Sequence, residues 1–296
     1  VHSILADKAV RSVIVVDDAS ADGTLAEAKR ACDGSGRLTL LRLDTNRGPA
    51  AARNAGLAIC DAPWVAIVDA DDYLMPDRIS SLLSLADDCD FVADDILQID
   101  AGRIGSGEPE PMLSRDPFEA WMCSLETFVL GNISAPGRQR KELGFFKPLI
   151  RRAFLEEQEL RYDENLRLGE DYALYARALA RGARFLVAPA CGYVSVNRND
   201  SLSARHSKLD LENLRDSNLR LLRQEGLSRR ERRAILKHYH SIDARIQWLN
   251  VIDAVKGRSI SRFLGATFRS RQAALFVSAR LREQLLIRSL RQMSIR

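Results

Sequence analysis

Residues 65–72 read Val65-Ala66-Ile67-Val68-Asp69-Ala70-Asp71-Asp72, an apolar run with the texture of a buried strand that stops in three carboxylates. Acids at i and i+2 of a strand end project to one side, and carboxylate oxygens are the ligands a hard ion such as Mg²⁺ or Mn²⁺ prefers. The same acids also suit a turn that caps the next helix. Upstream the pattern recurs: Val13-Ile14-Val15-Val16 is a β-branched run closed by Asp17-Asp18 and then Ser20, Asp22, Gly23 and Thr24. Between and beyond these runs, residues 25–33 read as helix, Leu38–Leu43 as strand and Gly48–Ala58 as a small-residue helix. Trp64–Val68 reads as strand, Pro76–Ala86 as helix with Pro in its first turn, and Phe91–Ala93 as the start of a fourth strand. Strands alternating with ten-residue helices predict an α/β fold with a mostly parallel, Rossmann-like sheet flanked by helices. In such sheets ligands bind beyond the carboxyl ends of the strands, where both acidic clusters fall.

Composition narrows the function classes. The chain has 296 residues, 46% of them apolar and 28% charged, enough for one large domain and an appendage. Five cysteines are scattered with no C-x-x-C pair, which argues against a disulfide framework or a zinc site. No stretch approaches the ~18 apolar residues a spanning helix requires. The net charge of +4 conceals an asymmetry: residues 211–296 carry 19 Lys/Arg against 7 Asp/Glu, which leaves −8 for residues 1–210. An acidic body with a basic helical tail is predicted, divided as 1–205 and 206–296.

Between residues 99 and 145 the alternation fails. Gly102, Gly105, Gly107, Pro109 and Pro111 mark a loop, and Phe118–Leu130 reads as an amphipathic helix in an insertion that would face an acceptor. Phe145–Ile150 then reads as strand, with a helix from Arg151, a turn near Asp163, a helix from Glu170 to Arg181, and strand and turn over Arg184–Val196. Beyond Arg205 the texture is helical, in segments near 207–225, 229–253 and 258–292.

Three further segments carry chemistry. One carboxylate of Asp17-Asp18 can accept the imide N–H of a uracil while the other holds the turn, or both can cap. In Asn46-Arg47-Gly48-Pro49 through Arg53-Asn54-Ala55-Gly56, alanines suit close helix-to-sheet packing, and Arg47 and Arg53 can engage a base or phosphate. Glu170-Asp171 opens a helix, where the dipole favours a carboxylate whether it caps or acts as a general base.

In their order along about 190 residues, these segments resemble glycosyltransferase family 2, inverting enzymes with the GT-A nucleotide-diphospho-sugar transferase fold. The resemblance rests on Asp17 to Thr24, on Asn46 to Gly56, on Asp69-Ala70-Asp71-Asp72 with Pro76 and Arg78, and on Glu170-Asp171. It implies that Asp17 and Asp18 lie at uracil and ribose, Asp69 near nucleoside and sugar, and Asp71 on the metal bridging the diphosphate. Asp171 is implied as catalytic base, with Glu170 and Asp72 in support. Lys147 and the loop Asn197 to Ser203, with Arg198, match places that contact donor phosphates or close over the site. The expected activity is metal-dependent transfer, with inversion, of one hexose such as glucose from a UDP-sugar. The expected acceptor is a glycan or lipid-linked oligosaccharide, as in bacterial exopolysaccharides of the succinoglycan kind.

Two departures qualify the resemblance. The family's first strand is missing, since Val1 to Ala6 reads as the helix that follows it, so the domain is expected to be truncated at its start. The Gln-x-x-Arg-Trp pattern of processive members is also absent at Gln247-Trp248, which predicts a non-processive enzyme. Two alternatives remain open at this level. One is an inactive nucleotide-sugar-binding relative. The other is a receiver-like signalling module with Asp72 as phospho-acceptor, although Asp17-Asp18 lies 54 residues upstream and Glu170-Asp171 would have no role in it. Residues 256–296 hold ten Lys/Arg and one acid, Glu283, among Phe and Leu residues. That pattern fits either an anionic membrane surface or a packed or self-associating helical face. Aromatics for base stacking are sparse, so no nucleic acid is expected. The expected location is the cytoplasm, or the inner face of the membrane.

Overall fold

The computed structural model describes residues 1–116, 118–133, 142–198 and 207–293. Its contacts group into two units, Val1–Arg205 and His206–Arg296.

The first unit opens with α1 (His2–Leu5), β1 (Val13–Asp17), α2 (Thr24–Arg30), β2 (Leu38–Arg42), α3 (Pro49–Ile59) and β3 (Trp64–Ala66). It continues with β4 (Tyr73–Leu74), α4 (Arg78–Leu83), β5 (Phe91–Asp94), β6 (Leu97–Asp100), β7 (Glu110–Pro111), β8 (Trp121–Met122) and α5 (Leu125–Gly131). β9 (Leu149–Arg151), α6 (Arg152–Glu157), α7 (Glu170–Ala180), β10 (Phe185–Ala188) and β11 (Tyr193–Asn197) complete it. The β-branched run at Val13 pairs in parallel with β2, Val13 opposite Leu38 and Asp17 opposite Arg42. That register puts Asp17 at the carboxyl end of its strand, where the alternating pattern predicts it.

Strand pairing elsewhere is mixed rather than mostly parallel. A five-stranded sheet runs β3-β9-β5-β10-β8 and a four-stranded sheet β4-β11-β6-β7. Only β5–β10 and β6–β11 are parallel within them. The periodicity that reveals a strand does not name its neighbour, and β9 enters antiparallel between β3 and β5 from far along the chain. The predicted helix 118–130 is also shorter than expected. Trp121–Met122 pairs with β10, and α5 begins only after Ser124, whose side chain accepts the Thr127 N–H.

The core of this unit lies around β5, where every residue is buried. Phe91 stacks on Phe185 at 5.3 Å, and Phe128, Tyr175 and Phe154 pack around the pair. One glycine at this edge is sterically required. Gly192 has φ +119°, and a Cβ there would lie 2.6 Å from Met75 Cβ.

The second unit comprises α8 (Lys208–Leu222), α9 (Arg229–Lys256), α10 (Ile260–Thr267) and α11 (Arg271–Met293). Ser207 with Asp210 and Ser228 with Glu231 form capping boxes that fix where α8 and α9 start. Among the described residues no helix is long and apolar enough to cross a membrane.

Candidate active site

Five charged side chains from four parts of the first unit converge. Arg53, on α3, reaches Asp69 Oδ1 at 2.8 Å, Glu170 Oε1 at 2.5 Å and Asp171 Oδ1 at 3.2 Å. Lys147, just before β9, places Nζ 2.6 Å from Asp171 Oδ2 and 3.0 Å from Asp69 Oδ2. The Arg53 guanidinium also lies over the Tyr162 ring, 5.4 Å from its centroid. Lys147 and Asp171 are buried, and buried charges persist only when paired in this way.

The electrostatics follow from that pairing. Burial acts to raise the Asp69 pKa, but Lys147 and Arg53 outweigh it and hold the carboxyl down at about 2. Asp69 therefore stays ionised, and its ion pairs are lost only as pH falls through that value. Burial opposes charge on Lys147 as well, yet Asp171 and then Asp69 hold it above the ordinary lysine range. Burial, reinforced by the Asp171 charge, pushes the Tyr162 phenol up. Asp171 Oδ1 is buried and accepts no hydrogen bond among the described residues, so this oxygen has capacity for a substrate proton.

The turn following β1 is tied to the opening of α3. Arg47 N–H donates to Asp18 Oδ1 at 2.8 Å and Gly48 N–H to Oδ2 at 2.7 Å, so Asp18 caps the 46–48 turn. Asp17 accepts the Ser20 N–H at 3.0 Å. Hydrogen bonds from Ser20 hold its carboxyl below the usual carboxylate range. Asn54 exchanges a pair of hydrogen bonds with the Tyr162 backbone, and Arg47 pairs with Glu164 at 2.5 Å. Adjacent residues of α3 therefore grip both the acids and the 162–164 segment.

The three acids of the opening motif part company. Asp72 N–H donates to the Asp69 carbonyl at 3.1 Å, so residues 69–72 form a turn rather than an extended strand end, and their side chains diverge. Asp69 faces the cations. Asp72 turns to β11, accepting the Tyr193 hydroxyl at 2.7 Å and the Val196 N–H at 2.9 Å. Asp71 is exposed and makes no hydrogen bond or ion pair among the described residues. No cluster of three His, Cys, Asp or Glu suited to a metal occurs among the described residues, so the strand-end trio is not a ready-made cage. A lone carboxylate still fits an ion that takes its other ligands from diphosphate and water, as Mg²⁺ commonly does.

Behind this turn stands a buried polar frame. Tyr193 donates to Asp72 and accepts the Asp69 N–H at 3.2 Å. The Arg78 guanidinium lies 5.0 Å from the Tyr193 ring centroid, donates twice to Asp94 Oδ1, and donates to the Lys147 carbonyl at 2.6 Å. Asp94 Oδ2 in turn accepts the N–H groups of Cys191, Gly192 and Tyr193. Tyr175 donates to the Phe146 carbonyl next to Lys147. Tyr193→Phe would leave Asp72 Oδ2 and the Asp69 N–H without this partner. A stability loss of about 1–3 kcal/mol is expected in urea melts, because buried polar groups left unmet carry their desolvation penalty.

Residues 1–147 match the profile of Glycosyl transferase family 2. Over 272 residues the chain is 43% identical to "Succinoglycan biosynthesis protein ExoU" of Rhizobium meliloti, covering 90% of this chain and 77% of that protein. The chain belongs to glycosyltransferase family 2. A second relative, "Succinoglycan biosynthesis protein ExoO" of the same organism, is 35% identical over 294 residues, with 95% and 81% covered. Among solved structures, S. aureus TarS in complex with UDP-GlcNAc aligns at TM-score 0.59 and 17% identity, over 90% of this chain and 86% of that one. Mannosyltransferase PcManGT from Pyrobaculum calidifontis, in complex with GDP-Man and Mn2+, aligns at TM-score 0.56 and 17% identity over 96% and 74%. The fold of this glycosyltransferase is thus the GT-A type that the ordered motifs imply.

Family membership removes the receiver reading, and Asp72, held by Tyr193 and Val196, is not presented as a phospho-acceptor. Of the residues singled out in the sequence, Arg53, Asp69, Lys147, Glu170 and Asp171 meet in the transferase's ion-pair cluster. Asp17, Asp18 and Arg47 lie on the neighbouring turns, with Arg47 directed at Glu164. Arg198 is exposed just past β11 and makes no ion pair with the cluster. Residues Asn199 to Ser203 of its loop lie outside the described residues. Sequence reasoning missed Tyr162, Asp94 and Tyr193. An aspartate ending the fully apolar run Phe91-Val92-Ala93 was the one available signal, since a buried acid requires partners.

Proposed function

We propose that this enzyme transfers a hexose from a UDP-sugar to a hydroxyl of a lipid-linked oligosaccharide, with inversion and a divalent cation, during exopolysaccharide assembly. The observation that carries the reading is the ion-pair cluster. Lys147 holds Asp171 Oδ2, Oδ1 faces Arg53 at 3.2 Å without accepting a hydrogen bond, and the unpartnered Asp71 lies three residues after Val68 on the same turn as Asp69. Residues 1–205 form the catalytic domain in this reading and 206–296 the helical extension.

Asp171 Oδ1 accepts the proton of the acceptor hydroxyl as that oxygen bonds to the anomeric carbon, and the bond from this carbon to the diphosphate oxygen breaks. In this reading Lys147 and Arg53 also engage the diphosphate, and Asp17 and Asp18 serve the nucleoside. Asp71 is the residue that would hold the cation, which supplies charge stabilisation to the departing diphosphate. The succinoglycan names of the two curated relatives support the polysaccharide assignment, and the UDP-GlcNAc in the TarS structure supports a uridine donor.

The test is ligand-induced stabilisation. UDP with Mn²⁺, at about 100 times its dissociation constant, is expected to stabilise the protein by about 2.7 kcal/mol. UDP alone is expected to stabilise it far less, and Asp71→Asn to abolish the increment contributed by metal. Equal stabilisation of wild type and Asp71→Asn by UDP and Mn²⁺ would remove Asp71 from the metal role.

A further inference from the structure

The α10 helix presents a line of apolar side chains that no described residue of its own unit covers. Ile260, Leu264 and Phe268 recur every fourth residue, which aligns them along one face, and they are 77%, 46% and 70% exposed. Val255 and Leu275, on the flanking helices, are 60% and 63% exposed. The opposite face is already satisfied. Ala266 is buried with Val251 and Val277, and Phe263, Trp248 and Leu281 pack on that cluster. The helix is thus anchored from behind with its apolar line outward.

Cations are dense along the same segment. Lys256, Arg258, Arg262, Arg269 and Arg271 are all exposed, and no acid occurs between Asp253 and Glu283. Each part alone has an ordinary explanation, but together they match two chemistries of one partner: apolar chains for the stripe and anionic groups for the neighbouring cations. A second copy of the chain is a poorer match, because a two-fold contact here would set the same cations against each other with no acid between them.

We propose that this face docks on an anionic lipid bilayer, with Ile260, Leu264 and Phe268 inserted at the headgroup boundary and the surrounding Lys and Arg on lipid phosphates. The proposal stands on α10 and its flanks and does not depend on which sugar or donor the catalytic domain uses. Docking would hold the catalytic domain at the surface where a lipid-borne acceptor resides.

Co-sedimentation of the full chain with phosphatidylglycerol-containing and with pure phosphatidylcholine vesicles tests it. Binding is expected to the anionic vesicles only, and to weaken as salt is raised. The triple variant I260S/L264S/F268S should lower the partition coefficient at least about tenfold. R269Q/R271Q, at the Phe268 end of the apolar line and leaving it intact, should lower it about fivefold for each charge removed. These side chains are exposed, so unchanged circular dichroism melts are expected for both. Parental binding by both variants would overturn the proposal. So would absence of vesicle binding together with a concentration-dependent dimer that the triple variant dissolves, which would assign the face to a second copy.

Discussion

Asp171→Asn is expected to lower kcat by about 10²–10⁴-fold, the range a positioned general base contributes. The amide keeps the shape of the side chain and an oxygen for Lys147 Nζ, now 2.6 Å from Oδ2, but it cannot take up the acceptor proton. Donor affinity, measured by UDP titration with Mn²⁺, should change little by comparison, because the groups proposed at the diphosphate remain. Near-normal kcat would show that another group is the base. A parallel collapse of UDP binding would show instead that Asp171 serves chiefly to hold Lys147 and Arg53.

The largest expected effect on stability comes from Arg78. Its side chain is fully buried, spans Asp94, the Lys147 carbonyl and the Tyr193 ring, and is replaceable in volume by Met. Arg78→Met leaves the Asp94 charge buried with only backbone N–H donors on its other oxygen. Removing one partner of a buried ion pair typically costs about 3–5 kcal/mol, a large share of the roughly 5–15 kcal/mol that holds a domain folded. Urea denaturation should register that loss. Adding Asp94→Asn to the Met variant should restore part of it, since no unpaired charge then remains, and the two sites couple rather than add. A loss below about 1 kcal/mol for Arg78→Met would mean that the frame relaxes around the gap.

How much of this was legible differs by residue. Asp17 at the end of β1 and Glu170-Asp171 at the start of α7 are local features, marked by a β-branched run and by a helix beginning after Gly169, and each lies where the pattern puts it. The partners of Arg53 are another matter. Glu170 is 117 residues away, and nothing near Arg53 announces that its guanidinium will be shared among three carboxylates. The antiparallel entry of β9 escaped for the same reason, as did the two-residue strands β4, β7 and β8, too short for alternation to register. The opening motif failed more instructively. The apolar run predicts a strand ending in the acids, whereas the strand stops at Ala66 and the turn from Asp69 to Asp72 sends Asp69 to the cations and Asp72 to β11 and leaves Asp71 exposed. Buried hydroxyls such as Tyr193, with no charge or turn signature, leave the least trace in a sequence.

The sum of charges in the ion-pair cluster bears on the order in which ligands arrive. Asp69, Glu170 and Asp171 outnumber Arg53 and Lys147 by one negative charge, and the exposed Asp71 on the adjoining turn adds a second. A diphosphate alone would deepen that imbalance, and a dication alone would meet only the single open carboxylate of Asp71. Arriving together they leave the total unchanged. Donor and metal should therefore bind with positive thermodynamic coupling, each tightening the other by the same factor, so that metal availability sets the apparent affinity for nucleotide as firmly as any contact to the base.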